Sequence, residues 1–162
     1  LTICILGAGN GWDALNFAQK GHAVSAVDFT ESAVENMKIS AGKSGIIMNV
    51  LKMDIFDLHL HFNQFYDVVL EYTCFCAIDP VRRKEYIEIV HHILKPGGKF
   101  VGILFPIDKE LDDDGPPFGV DLETTINLFS EYLRLDKREI PKLSIKSRSD
   151  REVFVIFIKD GN

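Results

Sequence analysis

Long apolar runs are missing from this sequence. None approaches the ~20 residues that a membrane-spanning helix needs, and no leader pattern precedes the first strand-like stretch. Positive charge is scarce as well. Lys and Arg number 18 against 24 Asp and Glu, leaving a formal charge of −6, which argues against a nucleic-acid partner, since that needs a basic surface. Cysteine is limited to Cys4, Cys74 and Cys76. An odd count without framework spacing fits a reducing compartment, so a cytoplasmic protein is expected. Metal-ligand spacing is absent too: Cys74-x-Cys76 has no second pair, and the adjacent His91 and His92 point to different faces of a helix. Repeats, linkers and low-complexity tracts are also lacking. Residues 1–162 therefore read as one domain, long enough for a full core.

What is present is an alternation of strand and helix patterns. Thr2–Leu6 reads as a buried strand. Trp12–Lys20 reads as a helix, with Trp12, Leu15 and Ala18 and then Ala14 and Phe17 at helical spacing, ended by Gly21. Ala23–Val27 is a second strand closed by Asp28. Thr30 can cap a helix from Glu31 to about Ala41, with Ser32-x-x-Glu35 as another capping option. Asn49–Met53 and Tyr66–Leu70 are the third and fourth strands, closed by Asp54 and Glu71. Asp79-Pro80 opens a helix whose core stripe is Tyr86, Ile87, Val90, Ile93 and Leu94. After a Lys95–Gly98 turn, Lys99–Phe105 is the fifth strand. A loop from Pro106 to Val120 carries the acidic Asp112–Asp114 run. Asp121 caps a last helix, to about Tyr132, and two strand-like runs follow, Leu133–Ile140 and Glu152–Lys159. Continuous apolar strands alternating with helices predict an α/β fold, a Rossmann-like, mostly parallel sheet covered on both faces. No helix separates the last two strands, so they should pair antiparallel at one edge.

In such a sheet, ligands bind beyond the carboxyl ends of the strands. The residues there are Gly7, Ala8, Gly9, Asn10 and Gly11; Asp28, Phe29 and Thr30; Asp54, Ile55 and Phe56; Glu71 and Tyr72; and Phe105. Glycines let backbone approach a ligand without a side chain intervening. A carboxylate at Asp28 suits ribose hydroxyls. One at Asp54 suits an adenine amino group, with Ile55 and Phe56 as an apolar wall. Nicotinamide dehydrogenases and S-adenosylmethionine methyltransferases both use such a ribose acid. A dinucleotide loop reads G-x-G-x-x-G, its last glycine letting helix approach strand. Here Trp12 follows Gly11 and is too large for that role, so the pattern favours a methyltransferase over an oxidoreductase. Trp12 itself reads as helix packing, Cys74 and Cys76 as small buried fillers, and Glu71 as either a cofactor contact or a cap on neighbouring backbone.

Two stretches are more specific. "LEYTCFCAIDPVRRKEYIEIVHHILKPGGKFVGILFPID", residues 70–108, followed by "GPPF", residues 115–118, resembles the thiopurine methyltransferase superfamily of class I S-adenosylmethionine-dependent methyltransferases, most of all its halide, thiocyanate and thiol branch. "GWDALNFAQKGHAVSAVDFTESAVEN", residues 11–36, agrees with it. The resemblance implies a seven-stranded sheet with the last strand antiparallel. It implies S-adenosyl-L-methionine as cofactor, S-adenosyl-L-homocysteine as product, and contacts from Gly7, Asp28, Asp54, Ile55 and Tyr72. It also implies a small-molecule methyl acceptor in a pocket formed by Tyr72, which is the expected catalytic position, Phe75, Phe105, Pro117 and Phe118. The family carries an N-terminal lid with tryptophans that this sequence is expected to lack. Glu71 stands where the halide branch usually has Asp. Phe105 and Phe118 stand where it often has tyrosines, which favours a soft, apolar thiol over a hydrogen-bonded halide. Methyl transfer from a sulfonium is an in-line displacement that mainly needs alignment and exclusion of water, and no His–carboxylate couple is required. A cofactor-binding module without turnover is the alternative within the same fold.

Overall fold

A computed structural model describes residues 1–111 and 114–161. Asp112 and Asp113, two of the three residues of the acidic run, lie outside the described residues. The element order is β1 (Thr2–Leu6), α1 (Trp12–Gln19), β2 (Ala23–Asp28), α2 (Glu31–Ser44), β3 (Asn49–Lys52), β4 (Tyr66–Tyr72), α3 (Arg83–Ile93), β5 (Leu94–Leu104), α4 (Leu122–Ser130), β6 (Arg134–Glu139) and β7 (Val153–Ile158). The strands form one seven-stranded sheet in the order β3-β2-β1-β4-β5-β7-β6. β1 to β5 run parallel, and β7 is antiparallel to both of its neighbours.

Both faces of the central strands are buried, and this is why they read as unbroken apolar runs. Cys4 and Leu6 of β1 join the larger core, with Tyr86, Phe100, Phe129 and Phe157, beneath α3 and α4. Ile3 and Ile5 point the other way, into a smaller core with Ala14, Val34 and Met37 of α1 and α2. The chain winds outward from β1 to β3, then crosses back to β4 on the other side of β1. That reversal opens a crevice at the carboxyl ends of β1 and β4.

Several local expectations need correcting. Trp12 does not pack: it is 75% exposed, and Ala14 is the buried residue of α1. Thr30 is the N-cap residue of α2 but makes no side-chain cap bond. Its hydroxyl instead donates to Asp28 Oδ1 at 2.8 Å. α2 runs past Ala41 to Ser44 and stops at Gly45, whose φ of 62° is the left-handed cap that glycine adopts readily. The helix opened by Asp79 starts as a tight 3₁₀ turn over Pro80–Arg82, with the Asp79 carboxylate accepting from Val81 N at 3.1 Å. A second 3₁₀ segment, Ile55–Leu60, carries too few residues for helical periodicity to show in the sequence.

Candidate functional site

The crevice holds a cavity of about 450 Å³, within the roughly 300–1,000 Å³ usual for small-molecule sites. Its floor is the turn after β1. Gly7 has φ +60°, and a side chain there would meet Cys74 Sγ at 3.0 Å, so both conformation and close approach demand glycine. Gly9 faces open space and lines the cavity beside it. Ala8, Asn10 and Gly11 do not line it. Ala8 N donates to Val27 O at 2.9 Å, tying the loop to β2. Asn10 accepts from Asn36 Nδ2 at 3.4 Å. Gly11 leaves room for Met37, whose Cγ would be 2.5 Å from a Cβ, so it serves the packing of α1 on α2.

Asp28 ends β2 and organises one wall. Its Oδ2 accepts from Gly9 N at 2.9 Å, and its Oδ1 accepts from Thr30 N at 2.9 Å. These bonds aim a buried carboxylate into the cavity and lock the glycine turn to β2. Phe29, Thr30 and Ala33 continue this wall. Opposite, Asp54 Oδ1 accepts from Phe56 N at 3.0 Å, starting the 3₁₀ segment so that Ile55 and Phe56 face the cavity. The Arg82 guanidinium lies 3.4 Å from the Phe56 ring centroid. It is held there by a two-pronged pair with Glu85 at 2.8 and 3.0 Å. Phe56 and Arg82 thus make a flat slab beside Asp54, matched to a planar heterocycle with an amino group. The open glycine turn, a carboxylate for a diol and this slab fit the adenosine of S-adenosylmethionine.

The third wall is the turn after β4, which holds Thr73, Cys74, Ala77, Ile78 and Asp79. The sequence reading missed these, and Cys74 is a cavity-lining residue rather than a mere filler. Thr73 has φ +66°, rare for a β-branched residue. Such strain persists only where surroundings enforce it, and here Glu71 does so. Its Oε2 accepts from Cys74 N at 3.1 Å and from Phe75 N at 2.8 Å. Of the two roles open to Glu71, the structure shows the cap; its side chain lies on the larger-core side, away from the cavity lining. Burial drives the Glu71 carboxyl up to about 7, with the Phe75, Cys74 and Ile103 backbone N–H groups pulling against it.

The expected acceptor residues divide. Phe75 is 1% exposed and belongs to the core, packed on Tyr86, Phe129 and the Arg83 guanidinium. It is not on the cavity wall, because the turn that Glu71 caps rotates it inward. Tyr72 also lies outside the cavity lining. Its side chain shares the other sheet face with Ile103 and Phe154, and its hydroxyl donates to Glu152 Oε2 at 3.4 Å. Phe105 is half-buried nearby. The Arg148 guanidinium covers both rings, 4.9 Å from Tyr72 and 4.8 Å from Phe105, and Arg151 sits 5.2 Å from Phe105. Neither arginine had been singled out in the sequence, since the polar segment carrying them gives no periodic signal. Phe118 is half-buried and Pro117 exposed. Phe118 N donates to Cys76 O at 2.8 Å, docking the 115–118 loop on the turn after β4. Asp114 is exposed on that loop.

Known proteins resemble this arrangement at two levels. The thiopurine S-methyltransferase family model matches residues 2–152. A thiocyanate methyltransferase of Brassica oleracea is 31% identical over 120 residues, covering 73% of this chain and 51% of that protein. A probable thiol methyltransferase of Arabidopsis thaliana is 31% identical over 116 residues, covering 70% of this chain and 50% of its own. The chain thus spans about half the length of these curated relatives. Among solved structures, a methyltransferase of Methanosarcina mazei superposes with a TM-score of 0.83 at 16% identity, covering 99% of this chain and 93% of its own, a likeness of fold alone. With the family model matched from the first strand to the start of the last, the chain belongs to the thiopurine S-methyltransferase family.

Proposed function

We propose that this protein binds S-adenosylmethionine in the β1–β4 crevice and supports transfer of its methyl group to a small, soft nucleophile, a thiol or thiocyanate. The observation that carries the reading is the Asp28 carboxylate, clamped by Gly9 N and Thr30 N and facing the cavity. S-adenosylmethionine, when bound, supplies a methyl group already activated on a positively charged sulfur. Asp28 would accept from the ribose hydroxyls, Asp54 from the adenine amino group, and Phe56 would stack on the ring. This seating leaves the Gly7–Cys74 end of the cavity for the sulfur. The chain's remaining task is to align the nucleophile and exclude water.

Tyr72, Phe105 and Arg148 suit that task at the ends of β4 and β5. Two aromatic rings offer an apolar, polarisable surface, and the guanidinium above them favours an anion such as a thiolate or thiocyanate. The names of the Brassica and Arabidopsis relatives point to the same acceptor class. Calorimetry with S-adenosylhomocysteine and NAD, followed by a panel of thiols, thiocyanate and iodide with detection of methylated product, tests the proposal. The expected result is homocysteine-nucleoside binding, no NAD binding, and methylation of at least one sulfur nucleophile. Binding without any methylated product would leave a cofactor-binding module, and NAD binding alone would overturn the reading.

A further inference from the structure

Glu71 is a buried carboxylate bonded to the turn that lines the cavity, with no ion pair among the described residues. It is 1% exposed, its Oε2 holds the Cys74 and Phe75 N–H groups, and Oε1 has no hydrogen bond of good geometry. Gly102 on β5 leaves room for Phe100 and for it: a Cβ there would stand 2.9 Å from the Phe100 ring and 3.2 Å from Glu71 Cγ. Leaving a buried carboxylate oxygen without a well-made hydrogen bond is expensive, although the other oxygen is held by the two backbone N–H groups. The carboxylate bonds the backbone of Cys74, which with Thr73 and Gly7 lines the cavity, and a Cβ at Gly7 would meet Cys74 Sγ at 3.0 Å.

We infer that Glu71 is a specificity-determining residue that favours the positively charged S-adenosylmethionine over its neutral product, through the charge it places behind the Gly7–Cys74 end of the cavity. The inference rests on the proposed seating of the cofactor. A cation arriving in a low-dielectric site stabilises a nearby anion, and the same attraction holds the cation. Cofactor binding therefore drives Glu71 from carboxylic acid to carboxylate, and its proton goes to solvent. Methyl transfer discharges the sulfur, the attraction ends, and Glu71 recovers a proton as the product leaves. Since the free protein's carboxyl sits at about 7, the exchange falls in the neutral range.

The other titratable groups around Glu71 do not compete there. Burial pushes the Cys4 thiol of β1 to about 12 and the Cys76 thiol to about 11. The Cys74 thiol and the Tyr86 hydroxyl of α3 are driven well above their ordinary values, also by burial. Asp28 on β2 acts on Cys74 from another wall of the cavity. The Arg83 guanidinium of α3 lies against Phe75 and bonds Gly119 O at 3.0 Å; it lowers the Cys76 value and stays charged in this range.

Titration calorimetry of S-adenosylmethionine and S-adenosylhomocysteine, in buffers of different ionisation enthalpy between pH 6 and 8, reads the proton directly. Both ligands carry the same α-amino group, so its contribution cancels in the comparison. The expected result is proton release with S-adenosylmethionine alone, and an affinity ratio between the two that rises by about tenfold from pH 6 to pH 8. Glu71→Gln should abolish both effects. Equal proton release for the two ligands, a pH-independent ratio in the wild type, or a ratio that Glu71→Gln leaves unchanged would overturn the inference. The wild-type comparison decides by itself if the variant does not fold. Failure of both ligands to bind would overturn the cofactor reading itself, and this inference with it.

Discussion

The proposed adenosine end and the proposed acceptor end of this molecule are built differently. At the first end most of each wall is a strand terminus and the few residues after it, with Arg82 and the Gly9–Asp28 bond brought in from farther along the chain. Asp28 bonds Thr30, Asp54 bonds Phe56, and the partners are two residues apart. At the proposed acceptor end Tyr72 and Phe105 meet Arg148, which arrives from the segment between β6 and β7. The first site is stiffened by local backbone hydrogen bonds. The second depends on long-range packing and on the docking of a loop through one bond, Phe118 N to Cys76 O. A local, self-bonded cradle suits a ligand common to a whole fold, and a composite patch suits an acceptor that varies within it.

The largest effect should come from Asp28→Ala. It strips acceptors from Gly9 N, Thr30 N and the Thr30 hydroxyl, and removes the proposed ribose partner. Affinity for S-adenosylhomocysteine should fall at least ~100-fold by calorimetry, given roughly 1.5–3 kcal/mol per charge-assisted bond. An unchanged affinity would break the assignment of this wall to the ribose.

Next is the buried carboxylate that caps the turn after β4. Glu71 is raised from 4.5 to about 7 in the folded protein. The folded state therefore holds its proton more tightly than the unfolded chain. The resulting stabilisation is complete below about pH 4.5 and is lost as pH rises through about 7, on the order of 3 kcal/mol. In denaturant titrations the wild type should lose stability relative to Glu71→Gln between pH 5 and pH 8. A constant difference would mean that the carboxyl is already ionised at pH 5.

Arg148→Ala should separate the ends most cleanly. The KM for an anionic sulfur acceptor should rise about tenfold while S-adenosylhomocysteine affinity stays level, and Arg148→Lys should recover only part because it cannot stack as a plane. Equal loss at both ends would erase the distinction. The smallest effect belongs to Phe118→Ala, expected to change preference among thiols, thiocyanate and iodide only several-fold. Steady-state competition between acceptors measures it, and no change would remove the 115–118 loop from the pocket.

Legibility followed this division. Asp28, Asp54 and the glycine turn stood out because each closes an apolar run, and strand ends in a parallel sheet are where ligands gather. Thr73, Cys74, Ile78 and Arg82 were less visible, since a turn after a strand has no period to read. Phe75 was misplaced for a related reason. Whether a residue after a strand end faces the crevice or the core depends on the turn, and here the buried Glu71 carboxylate sets it. Trp12 is exposed: helical spacing says which residues share a face but not which of them the rest of the fold covers.

By itself the sequence determined the α/β alternation, the parallel sheet with its antiparallel end, and the carboxylates at successive strand termini. These follow from periodicity and chain order, which are local properties. Only the tertiary structure decided that Glu71 caps a strained turn instead of reaching the cavity, that Gly11 serves α2, and that Arg148 covers Tyr72 and Phe105. Such outcomes depend on contacts between residues far apart in the chain, and the balance of burial against hydrogen bonding there is fixed only when the walls close around them.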